Sequence, residues 1–226
     1  VGYNNLGKTA GLGIRIRTEN GSGFGGRALS GVERVRSWAC TDVGRVREHN
    51  EDHHLVDDAL RLYIVADGMG GHAAGEVASE LAARIFRETV HEKQDILQDY
   101  RDGVAGTATG EGGSLQRTRA QNNKRITDLL GAAGAAACEA VFAAGRRDAD
   151  QRGMGTTLVA LWVIGSRAFI AHIGDSRVYL VRDAQCHQLT NDHTLGNELL
   201  RRGRLTPEQV QKVSQKNALM RAVGVY

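Results

Sequence analysis

Two short strand-like segments, 53–57 and 62–66, are separated only by a polar turn around Asp58. Segments of this length joined by so short a turn predict two neighbouring antiparallel strands. The first segment is preceded by Arg47-Glu48-His49-Asn50-Glu51-Asp52, and the second leads into Asp67-Gly68-Met69-Gly70-Gly71-His72. A hairpin between the two segments therefore brings these charged runs together, and this requirement constrains the fold more than any other feature of the chain.

The residue types in these two runs suit phosphoryl chemistry. Arg47 carries a planar fork of donors that matches a tetrahedral oxyanion. The acidic residues Glu51, Asp52 and Asp67 are the hard oxygen ligands that Mg²⁺ and Mn²⁺ prefer. Gly68 would let a metal ion or its waters approach the backbone, so its carbonyl could serve as a further ligand. Together the runs indicate metal-assisted phosphoryl chemistry.

Each of these assignments has a simpler structural alternative. Asp67-Gly68 is also a common turn pair. Arg47 could instead form a surface ion pair with Glu48 or Glu51. Because adjacent residues of an extended chain point to opposite faces, Glu51 and Asp52 can serve one metal only if the backbone bends or a water mediates.

A third motif, Gly174-Asp175-Ser176-Arg177, lies between two apolar runs. It suits a tight hairpin, and a functional role would require Asp175 to face the same edge as Asp67. Gly155-Thr156-Thr157 opens the preceding run and could line a site through its hydroxyls. The histidines at 49, 53 and 54 have a spacing that fits no zinc pattern.

Composition narrows the class of protein. The 226 residues suffice for one domain with a sizeable core, and 24% charged with 41% hydrophobic residues is typical of globular proteins. A net charge of +3 with interspersed signs gives no electrostatic case for nucleic acid. Three distant cysteines fit reduced thiols, and the longest apolar run, 158–164, is too short to span a bilayer. We therefore expect a cytoplasmic protein without a membrane segment.

Periodicity divides the chain into an extension and one domain. Residues 1–34 hold nine of the 29 glycines, and we expect them to be a flexible extension outside a domain at 35–226. We expect a surface loop in the Gly-, Thr- and Ser-containing tract 103–123. Helical spacing predicts two amphipathic helices. The apolar face of the first consists of Val77, Ala78, Leu81, Ala82, Ile85 and Phe86. The apolar face of the second consists of Ile126, Leu130, Ala133, Ala137 and Val141.

Closely spaced apolar runs follow Gly153 and predict strands at 157–164, 168–173, 178–181 and 186–189. Such short connections favour antiparallel meanders over β-α-β crossovers. Two short helices are predicted at 194–203 and 206–213, the second begun by a Thr206 N-cap and Pro207.

Taken together, these segments resemble the metal-dependent protein serine/threonine phosphatases of the PP2C family, bacterial branch. The resemblance covers roughly 36–226 and rests on ordered motifs: Thr41-Asp42-Val43-Gly44 with 47–52, Val65-Ala66-Asp67-Gly68-Met69-Gly70-Gly71-His72, Gly153-Met154-Gly155-Thr156-Thr157, Ile173-Gly174-Asp175-Ser176-Arg177, and 189–194 with Glu198-Leu199. Several motifs in the family's order and spacing are far more specific than any one alone.

The resemblance implies an α+β fold, a four-layer α-β-β-α sandwich of two mainly antiparallel sheets flanked by helices. It implies two Mn²⁺ or Mg²⁺ ions, with a third held more weakly, and direct attack on phosphorus by a metal-activated water. In that mapping Asp67 bridges the metals and Gly68 ligates through its carbonyl. Glu51 and Asp52 hold metal-bound waters, Arg47 binds the substrate phosphate, and Asp175 helps to hold the third metal.

Two departures from the family pattern bear on the mechanism. Met69 stands where some members carry a histidine proposed as the acid for the leaving alcohol, so a metal-bound water is expected to donate that proton. The family's later Ser-Asp-Gly-Leu and Asp-Asn segments supply two more aspartate ligands and the last strands. The chain ends before either segment, and 217–224 resembles the part just upstream. We therefore expect the domain to be C-terminally incomplete.

The leading hypothesis is a protein phosphatase acting on phosphoserine and phosphothreonine in proteins that are targets of a serine/threonine kinase. The alternative is a phosphatase-like binding module that recognises phosphorylated partners without turnover, because two aspartate ligands are absent from this chain. A metal-dependent hydrolase of small phosphoesters ranks last.

Overall fold

A central antiparallel sheet positions the acidic runs in the computed structural model, which describes residues 9–18, 33–70, 74–93, 95–97 and 112–225. The strands are β1 (Thr9–Thr18), β2 (Glu33–Asp42), β3 (Asp52–Asp57), β4 (Leu62–Met69), β5 (Gly155–Thr156), β6 (Leu158–Ile164), β7 (Arg167–Ile173), β8 (Tyr179–Arg182) and β9 (Gln185–Gln188). The helices are α1 (Ala74–Glu92), α2 (Gly112–Arg147), α3 (Leu195–Arg201) and α4 (Pro207–Gln211), with a 3₁₀ turn at Ala149–Gln151.

The central sheet has the order β3-β4-β6-β7, and β5 also pairs with β4. Every one of these pairings is antiparallel. The predicted segments 53–57, 62–66, 157–164 and 168–173 are therefore confirmed as strands of one antiparallel sheet. β4 is bonded to β3 along one edge and to β5 and β6 along the other, so it pairs with three strands.

Side chains alternate along β4 between two packed faces. Leu62, Ile64 and Ala66 are fully buried in the core shared with the helices. Tyr63 lies on the opposite face and is also buried. Its hydroxyl donates to Asp58 Oδ1 at 3.1 Å, and Ser37 of β2 donates to the same oxygen at 2.7 Å. This shared acceptor links β2 to the turn between β3 and β4.

Helices α1 and α2 pack together against one face of the central sheet. On α1, Ala78, Ala82 and Phe86 are fully buried, whereas Val77, Leu81 and Ile85 pack at the margin of the core. All five predicted residues of the α2 face are buried, namely Ile126, Leu130, Ala133, Ala137 and Val141. Both helical faces are therefore confirmed, and their small residues let the helices approach the sheet closely.

By length and composition alone, the segment Ala120–Arg147 of α2 could cross a membrane. The sequence had led us to expect no membrane segment. Alanine and glycine account for much of that apolar composition. The buried face of this helix packs on α1 and contributes to the core. In this structure α2 is therefore a core helix of the domain.

The prediction that residues 1–34 form an extension outside the fold is wrong for Thr9–Thr18. These residues form β1, which pairs with β2 in the register Thr9↔Asp42 to Thr18↔Glu33. Leu12, Ile14 and Ile16 alternate with Gly13, Arg15 and Arg17 in the sequence, a period-two pattern that the glycine content obscured. The rest of the predicted extension up to residue 32 lies outside the described residues.

The expected loop at 103–123 is also wrong in part, because Gly112–Arg147 forms a single helix. Ser, Thr and Asn have low intrinsic helix propensity. Here they continue a helix whose later turns are anchored by the core face. Residues 103–111 lie outside the described residues.

The C-terminal elements match their predictions. β8 pairs with β9 in a separate hairpin. The Thr206 side chain caps α4, where Gln209 completes a reciprocal capping box and Pro207 occupies the first turn. The described residues therefore have the predicted α+β class, with antiparallel sheets flanked by helices.

The Tyr63 contact predicts a specific alkaline transition. Burial, followed by the hydrogen bond to Asp58, raises the pKa of Tyr63 from 10.0 to about 12. The unfolded state then loses its proton first, so the stability that this group contributes is present below pH 10 and is lost between pH 10 and about 12. Tyr63→Phe should lower the free energy of unfolding by about 1 kcal/mol at neutral pH and reduce the alkaline loss, as measured by urea denaturation.

Tyr179→Phe is the matched control, because Tyr179 is exposed and accepts a hydrogen bond from Arg177 at 3.2 Å. It should leave the alkaline transition unchanged. An unaltered alkaline loss in Tyr63→Phe would assign that loss to other groups.

Candidate functional site

Asp52 and Asp67 lie directly opposite each other on neighbouring strands. The β3–β4 register pairs Asp52 with Asp67 and His53 with Ala66, so both carboxylates project from the same face, with Cβ atoms roughly 4.5–5.5 Å apart. Like charges in this arrangement are destabilising. A divalent cation between them would turn that repulsion into attraction.

The turn alternative for Asp67-Gly68 is wrong. β4 continues through both residues to Met69, and Gly68 and Met69 pair with Thr156 and Gly155 of β5. Asp67 therefore lies within β4, which ends at Met69. It is an exposed residue of an extended backbone that is bonded on both sides.

Glu51 lies on the helix side of the site. Its main-chain oxygen accepts from Gly68 N at 3.0 Å and from Ser79 Oγ of α1 at 2.7 Å. Its Oε1 is so close to Gly75 that a Cβ there would lie 2.5 Å away. The carboxylate is therefore buried beside the first turn of α1, where the helix dipole favours negative charge. Glu51 and Asp52 diverge, as expected for adjacent residues.

Gly68 is required by packing. A Cβ at this position would lie 1.9 Å from the Gly75 carbonyl oxygen and 2.6 Å from that of Glu51. No side chain fits where β4 crosses the start of α1. This close approach is a structural reason for glycine, and ligation of a metal by the Gly68 carbonyl stays a prediction.

Arg47 forms the ion pair that the sequence offered as its alternative role. Its Nη1 lies 3.4 Å from Glu51 Oε2, and its side chain is 57% exposed. Glu51 is only 9% exposed in the same pair, so an exposed guanidinium contacts a buried carboxylate. The Arg47 guanidinium therefore lies at the rim of the acidic site.

Asp175 follows the last residues of β7, and the hairpin predicted there as an alternative is wrong. β8 pairs with β9 and not with β7. Gly174 has a φ of +107°, which turns the chain away from the sheet. Burial raises the pKa of Asp175, and the nearby charges of Asp67 and Asp192 raise it further. Asp175 is thus within electrostatic reach of Asp67, as a shared site requires.

Thr157 connects these two aspartate-bearing segments. Its Oγ1 accepts from the Asp67 amide at 2.9 Å and lies 2.6 Å from Ser176 Oγ. The expectation that the Gly155-Thr156-Thr157 motif lines the site through its hydroxyls stays a prediction, although the Thr157 hydroxyl does contact the main chain of Asp67. The neighbouring Thr156 Oγ1 instead donates to the Thr157 carbonyl.

Sequence reasoning missed the ion pair between Arg177 and Asp192. Arg177 donates to both carboxylate oxygens of Asp192 at 2.5–3.0 Å, and this contact raises the pKa of Arg177. The two residues are fifteen positions apart on irregular segments, so no periodicity could have linked them. The pair braces the segment that carries Asp175.

Two histidines contact each other next to the segment that carries Asp175. The rings of His172 and His193 have centroids 4.7 Å apart, and His193 Nδ1 accepts from the Gly174 amide at 3.2 Å. Burial lowers the pKa of both histidines. They are therefore neutral at pH 7 and serve here as packing and hydrogen-bonding groups.

The donor set fits hard divalent cations, although the protein side chains alone are not gathered into a complete site. Over the described ranges, no group of three or more His, Cys, Asp or Glu is arranged to hold a metal ion. Asp52 and Asp67 are placed across two strands, with Asp175 nearby. Carboxylates spaced in this way suit Mg²⁺ or Mn²⁺, which retain several water ligands.

Comparison with known proteins gives a consistent result. Residues 44–217 match the family described as protein phosphatase 2C. The serine/threonine phosphatase stp of Listeria innocua is 40% identical over 188 residues, covering 82% of this chain and 65% of that protein. The chain thus spans 65% of the length of the curated relatives that it matches.

Solved structures show the same fold. The serine/threonine phosphatase PstP/Ppp of Mycobacterium tuberculosis is 31% identical with a TM-score of 0.57, covering 95% of this chain and 68% of that one. The catalytic domain of PstP in complex with two manganese ions is 29% identical with a TM-score of 0.57, covering 96% and 68%.

The packing at Gly68 yields a stability prediction. Gly68→Ala should lower the free energy of unfolding by about 1–3 kcal/mol or more, because overpacking moves β4 away from α1. Gly131→Ala is the matched control. A Cβ at Gly131 on α2 meets nothing within 4 Å, so this change should raise stability by about 0.5–1 kcal/mol. Equal effects in chemical denaturation would contradict the close approach.

Proposed function

This chain belongs to the protein phosphatase 2C family, and we propose on that premise that it hydrolyses phosphoserine and phosphothreonine in proteins. The observation that carries the proposal is the opposed pair Asp52 and Asp67, with the Asp175 loop linked to Asp67 through Ser176 and Thr157. Relatives named serine/threonine phosphatases support the proposal.

The proposed cofactors are two Mn²⁺ or Mg²⁺ ions, with a third held more weakly. The manganese complex of PstP supports this choice. Asp67 would hold two of the ions, the Gly68 carbonyl would be a further ligand, and Asp175 would serve the third. Glu51 and Asp52 would act through waters. When bound, such cations lower the pKa of water and offset negative charge on the phosphoryl oxygens.

Arg47 is proposed to bind the substrate phosphate. Its guanidinium is exposed at the rim of the site and forms one ion pair, with the buried carboxylate of Glu51. A dianionic phosphate can accept two charge-assisted hydrogen bonds from the guanidinium fork and is a stronger partner than one carboxylate. An incoming phosphate would therefore displace Glu51 from Arg47. Phosphoproteins made by a serine/threonine kinase are the proposed substrates.

The decisive experiment measures Mn²⁺-dependent phosphate release from a phosphothreonine peptide by the full-length protein, with Asp67→Asn beside it. The unaltered protein should turn over, and Asp67→Asn should lose turnover because an amide lacks the charge to hold two cations. Without metal, its thermal stability should hold or rise, since repulsion from Asp52 is removed.

Asp128→Asn is the control, because Asp128 is an exposed aspartate paired with Lys124 on α2. It should retain full activity. Peptide binding without phosphate release by the unaltered protein would favour the binding-module alternative. Near-normal turnover by Asp67→Asn at saturating Mn²⁺ would remove Asp67 from the bridging role.

Arg47→Ala should act mainly on substrate binding. Loss of the phosphate contact should raise KM for the phosphopeptide with a smaller change in kcat, provided Arg47 binds ground and transition states alike. Arg84→Ala is the matched control, since Arg84 is similarly exposed and pairs with Glu88 four residues later at 3.2 Å. If the main defect of Arg47→Ala were weaker Mn²⁺ binding, its role would be to order Glu51.

A further inference from the structure

A single threonine satisfies both main-chain polar groups of Asp67. Thr157 lies between β5 and β6 and is 2% exposed. Its backbone N–H donates to the Asp67 carbonyl at 2.9 Å, and its Oγ1 accepts from the Asp67 N–H at 2.9 Å. The backbone position of Asp67 on this side of β4 therefore depends on one residue.

This contact departs from the regular ladder. Two opposed residues of an antiparallel hydrogen-bonded pair normally exchange both N–H···O=C bonds. Here the Asp67 amide bonds to a side-chain hydroxyl, and the Thr157 carbonyl accepts from Thr156 Oγ1 at 2.8 Å instead. A side chain has replaced a backbone acceptor at the one position of β4 that carries the central carboxylate.

The same side chain contacts both neighbours of Asp175. Thr157 Oγ1 lies 2.6 Å from Ser176 Oγ. The Thr157 methyl group packs against Gly174 so closely that a Cβ on Gly174 would lie 2.6 Å from Cγ2. Gly174 and Ser176 flank Asp175 in the chain. One hydroxyl and one methyl group therefore set the distance between β4 and the loop after β7.

We propose that Thr157 is a positioning residue that holds Asp67 and Asp175 at the separation required to bind divalent cations in a common site. The inference rests on the proposed function, because the cations are those of the proposed phosphatase. Removing a group that holds a metal ligand in place without itself binding the metal typically weakens metal affinity by about 10–100-fold. The effect should appear in cation affinity before it appears in the chemical step.

The variants Thr157→Val, Thr157→Ser and Ser176→Ala separate the contributions. Valine keeps the shape but removes the hydroxyl, serine keeps the hydroxyl but removes the methyl group, and Ser176→Ala breaks only the link to the loop. Thr190→Val is the matched control. Thr190 is also buried, and its Oγ1 accepts from the Val178 amide at 3.1 Å, but it contacts neither Asp67 nor the loop's Ser176 in a hydrogen bond.

The experiment measures Mn²⁺ affinity by calorimetry on the full-length protein, thermal unfolding without metal, and amide hydrogen exchange at Asp67. Thr157→Val should weaken Mn²⁺ binding by about tenfold or more and expose the Asp67 amide to exchange. Thr157→Ser should recover most of the affinity, and Ser176→Ala should fall between the two. The apparent KM for Mn²⁺ should rise in Thr157→Val, and excess Mn²⁺ should restore most of kcat.

Thr190→Val should lose comparable thermal stability while it keeps its Mn²⁺ affinity. If Thr157→Val were merely as destabilised as Thr190→Val and bound Mn²⁺ normally, the positioning role would be overturned and the phosphatase proposal would stand. If the unaltered protein bound no Mn²⁺ and released no phosphate, the proposed function and this inference would fall together.

Discussion

The constraint on which the rest of the structure depends is the strand register that places two carboxylates opposite each other. Asp52 and Asp67 face each other across β3 and β4, which is unfavourable for a sheet without a cation. The fold compensates by holding β4 on every side. β3 and β6 pair with it, Thr157 binds both main-chain groups of Asp67, and the Glu51 carbonyl accepts from Gly68. A rigid strand can display charge that a loop would move apart.

Several residues contribute both to the packing of the core and to the geometry of the candidate site. α1 starts where β4 crosses it, and the absence of side chains at Gly68 and Gly75 allows that crossing. Ser79 of α1 is fully buried and donates to the Glu51 carbonyl. Packing of the apolar helix face against the sheet therefore also fixes the acidic run before β3. Core stability and site geometry depend on the same few residues, so changes in one will disturb the other.

Local patterns predicted the elements well where a single periodicity dominated. The α2 face from Ile126 to Val141 and the capping box at Thr206 follow from residues close in sequence, and both are confirmed. The errors arose where composition masked periodicity. Glycines hid the alternation of β1, and polar residues hid the start of α2. The hairpin alternative at 174–177 was wrong because strand pairing depends on distant partners: β8 pairs with β9.

The sequence by itself determined the family and the candidate site residues, because the motifs carry Arg47, Glu51, Asp52, Asp67, Gly68 and Asp175 in order. Only the tertiary structure decided which of these residues are neighbours. Register made Asp52 and Asp67 direct neighbours, Glu51 turned toward α1, and Thr157 became the link to the loop that carries Asp175. The Thr157 contact joins residues ninety positions apart. Such a contact results from packing of the whole sheet, and no local propensity encodes it.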